Sequence, residues 1–313
     1  MLKVNQKDWL KQNFNKNIKF DEPMALHTTL KVGGKAAVFI TPNNLDELKK
    51  LIIWIRDNQI PYLTIGWGSN LLVKDEGING IVIKFSHGMD SIALTKKKQD
   101  EMTITAMCGA KTKNICKMSL SNGLKGFNFA IGIPGTIGGA IKMNAGTKYG
   151  SMEDSIESIK LLNPDGTIHC INKKKLKFSY RHLSLCSEND NSLFNQPIII
   201  EGTFLLKRTD PLEIKNEASL ILKDRFKKQP FHKHSAGCFF KNPSDKTSAG
   251  QLIDMAGLKG KELGGAKISE KHANFLINTG KASSKNFIDL MELIQEKVKK
   301  SFNIMLEPEV KIV

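Results

Sequence analysis

The sequence predicts an α+β protein built from successive units, on three observations. Residues 1–88 set short apolar strands around an amphipathic helix and put a glycine turn at a strand's end. Residues 89–210 hold a run of strand patterns interrupted by one helix. From residue 211 onward helical patterns dominate, until a terminal segment that alternates like a strand.

Taken in order, residues 37–40 read as a strand ended by Thr41-Pro42-Asn43-Asn44. Asn44 suits a helix cap with Glu47 three residues on, and Leu45, Leu48, Leu51, Ile52 and Ile55 form one apolar face. Residues 62–65 form a second strand that runs into Gly66-Trp67-Gly68-Ser69-Asn70, and residues 71–73 and 80–83 follow as strands. In the next block, residues 92–94, 102–106, 156–162, 168–171 and 198–206 read as strands. Asn163-Pro164-Asp165-Gly166 is a tight turn between two of them, and a helix spans 112–122. A basic helix over 212–226 precedes Pro230. After Ser248 the chain reads as mostly helical, with a long amphipathic helix over 284–301, and Glu309-Val310-Lys311-Ile312-Val313 closes it as a strand.

With 313 residues the chain has room for two or three domains and a sizeable core. No apolar run approaches the roughly 18 residues that a membrane span needs. The N-terminal residues lack the apolar stretch of a secretory signal, so a cytoplasmic location is expected. The net charge of +16 invites a nucleic-acid reading, but only four of the 47 basic residues are Arg (Arg56, Arg181, Arg208 and Arg225). The lysines are spread along the chain without interleaved aromatics, which fits a solvated surface, with a field attracting anionic small molecules as the functional alternative. The five cysteines, Cys108, Cys116, Cys170, Cys186 and Cys238, are odd in number and show no C-x-x-C spacing, so reduced thiols are expected. His232 and His234 flank Lys233 with no carboxylate cluster, and no metal site is read there.

Two glycine-rich loops carry the chemistry. In Gly66-Trp67-Gly68-Ser69-Asn70 the glycines let backbone approach a ligand, and successive N–H groups can form an anion-binding concavity. The second, Ile131-Gly132-Ile133-Pro134-Gly135-Thr136-Ile137-Gly138-Gly139-Ala140, is followed by Asn144-Ala145-Gly146. Its glycines and near-absence of charge suit a pyrophosphate cradle. Neither loop is a Walker A motif, and neither is a clean G-x-G-x-x-G opening a helix.

Residues 66–73, 126–146, Phe178-Ser179-Tyr180-Arg181, 236–243 and 306–312, in that order, closely resemble the UDP-N-acetylenolpyruvoylglucosamine reductase family. The similarity runs from about Thr28 to the C-terminus. The resemblance implies an FAD-binding fold of the vanillyl-alcohol oxidase (PCMH) type in two α+β subdomains, 1–88 and 89–210. A substrate-binding domain, 211–313, would send its C-terminal strand back to the active site. It implies non-covalent FAD, a hydride from NADPH, and reduction of the enolpyruvyl group of a UDP-sugar to UDP-N-acetylmuramate for peptidoglycan synthesis. A monomer without nucleic-acid or membrane partners is expected.

The same resemblance assigns residues. Gly66, Trp67, Gly68, Ser69, Asn70 and Leu71 would hold the cofactor, with Ile133, Pro134, Gly135, Thr136, Gly138, Gly139, Ala140, Asn144 and Gly146. Arg181, in F-x-Y-R, would stabilise the enolate formed as hydride adds, a task suited to a fork-shaped cation. Glu309 would support the enolic intermediate or its protonation; Glu307 is the alternative carboxylate, and strand spacing alone puts both on one side. In Gly237-Cys238-Phe239-Phe240-Lys241-Asn242-Pro243, Cys238 occupies the proton-donor position that is Ser in most of the family. A thiol, with an ordinary pKa near 8.5, is a stronger acid than an alcohol, so it can fill that role.

Tyr180, Arg225, Lys228, Asn242 and His272 are the substrate-binding candidates, and Lys227 is not separable from Lys228. Two further departures from the family pattern are Trp67, for a glycine, and Leu183, for a common serine. The short stretch between Arg181 and Ile198 resembles the subclass without a long Tyr-bearing lid. Another flavin oxidase on the same fold is the competing enzyme reading. No His lies in either glycine loop to suggest a covalent flavin, and the joint Arg181, Cys238 and Glu309 motifs oppose it.

Overall fold

The structure is a computed structural model and describes residues 2–185 and 196–313. The chain divides into two compact units. One comprises Met1–Phe20, Val38–Gly66 and Asn79–Lys223; the other comprises Asp21–Ala37, Trp67–Ile78 and Asp224–Val313.

In the first unit, helix Leu45–Asp57 starts where the sequence predicts, with the Asn44 side chain accepting the Glu47 N–H at 2.9 Å. The Glu47 carboxylate reaches one residue further back than a capping box requires and accepts the Asn43 N–H. Leu48, Leu51, Ile52 and Ile55 are buried with Val38, Ile40, Ile81 and Ile83 in one core. Strand Tyr62–Ile65, which delivers Gly66, pairs in parallel with Ile78–Lys84. A helix that the sequence reading missed, Val4–Phe14, adds Leu10 and Phe14 to the same core and stacks Trp9 on Trp54 at 4.5 Å. Its few apolar positions amid polar residues leave a weak periodic signal, and only the tertiary core supplies a partner for them.

The second block of predicted strands forms one antiparallel sheet. Its order is Ile168–Asn172, Ile156–Leu162, Ile198–Arg208, Glu101–Met107, Ile92–Lys96, and Leu124–Lys125 also pairs with the end of Ile198–Arg208. The predicted turn after Leu162 is present, closed by the Gly166 N–H to the Asn163 carbonyl at 2.9 Å. Helix Ile137–Lys142, from the second glycine loop, buries Ile137 and Ile141 in this core. Leu183 is fully buried there too, which accounts for an apolar residue at that position.

In the second unit the expectation of mostly helix after Ser248 is corrected. Between helices Ala249–Met255 and Ser284–Phe302 lie three short strands, Glu262–Leu263, Ala266–Ile268 and Phe275–Asn278, which form an antiparallel sheet with His234–Cys238. Runs this short carry no distinguishing period, and strand pairing decides them. The predicted terminal strand is Lys311–Ile312, paired in parallel with Leu71–Leu72. Among the described residues no helix is long and apolar enough to cross a membrane.

Asp75 caps helix Ser284–Phe302 from far away in sequence, its carboxylate accepting the Ser284 and Lys285 N–H groups at 3.0 and 3.1 Å. Burial pushes its pKa up, but these hydrogen bonds outweigh burial and hold it below the ordinary value. Asp75→Ala is therefore expected to destabilise the protein by about 1 kcal/mol in urea unfolding at pH 7. Because the folded pKa is depressed, the contribution is complete at neutral pH and fades below about pH 4. Equal midpoints for variant and wild type at pH 7 would refute the cap.

Candidate active site

Within the first unit, Gly66, the opening residue of the first glycine loop, meets the second loop. Gly66 packs so closely on the Thr136 side chain that an added Cβ would collide with Thr136 Oγ1. Thr136 is 6% exposed, and its segment is anchored by the Ile137 and Gly138 N–H groups on the Ala110 and Cys108 carbonyls, both at 2.9 Å. Gly139 of the same loop is exposed and Gly135 half-buried, and a Cβ at Gly139 would meet only Thr136 Oγ1 at 3.8 Å. Their bare backbone is therefore open to a flat or anionic group.

The second loop also positions Arg181. Strands Lys177–Ser179 and His182–Ser184 form a hairpin, with Tyr180 and Arg181 at its tip. Asn144, 5% exposed, donates from Nδ2 to the Ser179 carbonyl at 3.1 Å and accepts the Glu153 N–H on Oδ1 at 3.1 Å. Lys142 donates to the Leu183 carbonyl at 3.1 Å. Arg181 itself sits in the left-handed region (φ 61°), and its guanidinium lies 4.8 Å from the Tyr180 ring centroid. A non-glycine residue held at positive φ costs of order 1 kcal/mol and persists where the surroundings fix it. The Asn144 side chain thus links this hairpin to the segment at Glu153.

The second unit gathers the remaining site residues around Phe239. Gly237 (φ 78°) and a register irregularity between Ser235 and Cys238 turn the end of strand His234–Cys238, re-aiming Cys238. One residue on, the Phe239 carbonyl accepts the Glu309 N–H at 2.8 Å. The Lys241 N–H donates to the Glu307 carbonyl at 2.8 Å, and the Lys241 ammonium pairs with the exposed Glu307 carboxylate at 3.3 Å. The expected shared face for Glu307 and Glu309 is thus corrected: no regular strand runs there, Glu307 points to Lys241, and Glu309 is half-buried. Asn70 donates from Nδ2 to the Glu309 carbonyl at 3.1 Å and accepts the Lys311 N–H at 3.0 Å.

Arg225 is largely buried, which lowers its pKa, while its charge interaction with Cys238 works in the opposite direction. Its guanidinium lies 5.9 Å from the Phe231 ring centroid. Lys228 is exposed and pairs with Asp224 at 2.8 Å. Asn242 accepts the Ala249 N–H on Oδ1 at 3.1 Å. The His272 Nδ1 accepts the Asn274 N–H at 3.2 Å, which leaves the ring's proton on Nε2 as a donor. Burial, with the nearby Lys259 charge, pushes the His272 pKa down, so the imidazole is neutral at pH 7.

Trp67 is 41% exposed and Tyr180 is 50% exposed. Cys108 and Cys116 are buried, and burial pushes both thiols up to about 12, which makes them inert, as expected of structural cysteines. Cys170 is exposed, whereas Cys186 and much of the short stretch after Arg181 lie outside the described residues. No group of three metal-binding side chains occurs among the described residues. Asn274, which the sequence reading did not single out, holds the Phe240 N–H and carbonyl with its side-chain amide. Nothing in its local pattern sets it apart from other buried polar positions.

Residues 36–172 match the family described as FAD binding domain, and residues 229–313 match the UDP-N-acetylenolpyruvoylglucosamine reductase C-terminal domain. The UDP-N-acetylenolpyruvoylglucosamine reductase of Desulfosudis oleivorans is 42% identical over 308 residues, 98% of each chain. That of Clostridium botulinum is 42% identical over 96% of this chain and 93% of its own. The chain belongs to the UDP-N-acetylenolpyruvoylglucosamine reductase family. The crystal structure of the reductase from Thermus caldophilus superposes with a TM-score of 0.77 at 33% identity, covering 93% of this chain and 97% of the other. The α+β fold of FAD-binding type is that of this reductase family. FAD is its cofactor, and the exposed glycine backbone at Gly139, beside half-buried Gly135 and with Gly66 pressed on Thr136, fits a close-lying dinucleotide.

Gly66→Ala is expected to drive the two loops apart and yield protein with little flavin absorbance, and the double variant Gly66→Ala/Thr136→Gly should recover part of it. Full flavin content in Gly66→Ala would count against the packing. For His272, the folded pKa lies below the unfolded value near 6.5, so the unfolded chain binds the proton first and stability falls as pH drops below about 6.5. Between pH 7.5 and 5.5 the urea midpoint should drop less in His272→Gln than in wild type. Identical drops would show that His272 does not contribute.

Proposed function

We propose that Arg181, Cys238 and Glu309 carry out the second half of the reaction in this FAD-dependent, NADPH-consuming reductase. The reaction converts UDP-N-acetylglucosamine enolpyruvate to UDP-N-acetylmuramate, a peptidoglycan precursor. Bound FAD supplies hydride transfer, from NADPH to the enolpyruvyl double bond. Addition of hydride to one carbon of that bond leaves negative charge on the other carbon and its carboxylate. The Arg181 guanidinium, fork-shaped and always cationic, stabilises that charge as it develops. The strained turn and the Tyr180 ring restrict the guanidinium to few orientations, which favours preorganised stabilisation.

The Cys238 S–H then gives its proton to the charged carbon, and Arg225 offsets the negative sulfur left behind until solvent returns a proton. Glu309 supports the enolic form or its protonation. The observation that carries this reading is the Glu309 N–H bond to the Phe239 carbonyl, which ties the Glu309 segment to the residue next to Cys238.

Tyr180, Asn242, the neutral His272 and the cations Arg225 and Lys228 (or Lys227) bind the UDP-sugar, and residues of both glycine loops hold FAD. In this reading residues 1–88 and 89–210 serve the cofactor and 211–313 the substrate. The protein acts as a cytoplasmic monomer with small-molecule partners only.

Stopped-flow resolution of the two halves tests the assignment. With Cys238→Ala, bleaching of the flavin by NADPH should be nearly unchanged, while return of its colour on adding enolpyruvyl substrate slows by about 10²–10⁴-fold. Cys238→Ser should keep much of the activity, and Arg181→Lys should be slow in the second half only. If Cys238→Ala turns over like wild type, the proton-donor role is wrong.

A further inference from the structure

We infer that Asn274 is a positioning residue for the second half-reaction, holding the segment Gly237–Phe240 so that Cys238 and Glu309 keep a fixed relation. The inference rests on the roles proposed above for those two residues. Asn274 is 2% exposed, and its side chain grips a single residue at both polar ends. Oδ1 accepts the Phe240 N–H at 2.9 Å, and Nδ2 donates to the Phe240 carbonyl at 2.8 Å. Its own carbonyl accepts the Phe239 N–H at 2.7 Å. Three of the four backbone polar groups of Phe239 and Phe240 are thus bound by Asn274, and the fourth, the Phe239 carbonyl, receives Glu309.

The need for such a clamp follows from the fold. Strand His234–Cys238 loses its regular ladder with Phe275–Asn278 between Ser235 and Cys238, where Gly237 adopts positive φ. Beyond that break the ladder resumes for one pair only, Cys238 with Phe275, and Phe240 keeps just an isolated bridge to Pro308, so an unsatisfied buried peptide group there would be costly. A side-chain amide is the group that can both accept from and donate to one residue's backbone, mimicking a strand neighbour. Asn274 is oriented in turn by its N–H on His272 Nδ1 at 3.2 Å. This couples the clamp to a substrate-binding candidate.

The test is Asn274→Asp in the flavin-loaded protein. The carboxylate still accepts from the Phe240 N–H, but its second oxygen opposes the Phe240 carbonyl unless protonated, and burial raises such a carboxyl's pKa. At about pH 8 the substrate half-reaction should slow on the order of 10- to 100-fold relative to wild type, as a misplacement near 1 Å does. The ratio to wild type should rise toward one as the pH falls to about 6, because the protonated acid donates as the amide did. Bleaching by NADPH, flavin content and thermal midpoint at pH 6 should stay near wild type.

No slowing at any pH overturns the inference. So does an equal loss in both half-reactions or a loss of flavin, which would mark Asn274 as purely structural. Cys238→Ala and Glu309→Gln run alongside. If neither slows the substrate half-reaction, the proposed roles fall, and the clamp's purpose falls with them. If they slow it and Asn274→Asp does not, the clamp alone is wrong.

Discussion

The Phe239 carbonyl, accepting the Glu309 N–H at 2.8 Å, is the contact that ties the C-terminal segment of the second unit to the end of strand His234–Cys238. It joins two motifs about seventy residues apart without using either functional side chain. Residues on both sides of it are then free to differ in what they hold: Lys241 takes the Glu307 carboxylate, Asn70 takes the Glu309 carbonyl, and Asn274 takes Phe240. Backbone hydrogen bonds suit this task because they set position to a few tenths of an ångström while leaving side chains available for reaction.

A steric constraint plays the corresponding part in the first unit. Gly66 has no room for a Cβ because Thr136 fills the space, so close contact sets where the second glycine loop lies against it. The same loop continues into Lys142 and Asn144, whose side chains hold the hairpin carrying Arg181. One segment therefore presents bare backbone on one side and fixes a cation on the other.

The cysteines show how environment separates identical groups. Cys108 and Cys116 are buried in apolar surroundings that push their thiols up to about 12, and neither can give or take a proton near neutrality. Cys238 is half-buried, follows a distorted strand end and feels the Arg225 charge. Environment, not side-chain type, thus sets Cys238 apart from Cys108 and Cys116.

The sequence by itself determined the α+β class, most strand and helix positions, both glycine loops and the family, because these rest on local periodicity and on short, distinctive strings such as residues 132–146 and Gly237-Cys238-Phe239-Phe240. Strand spacing alone treats Glu307 and Glu309 alike, and only the family motif favours Glu309; the folded chain adds that Glu307 pairs with Lys241 while the Glu309 N–H is held by Phe239. Sequence reading missed helix Val4–Phe14, whose partner Trp54 is distant in sequence, and read the strands between 262 and 278 as helix, since pairing rather than pattern defines them. Asn274 was likewise illegible. What makes it matter is which backbone groups come within 3 Å of its amide, and that is decided only when the chain is folded.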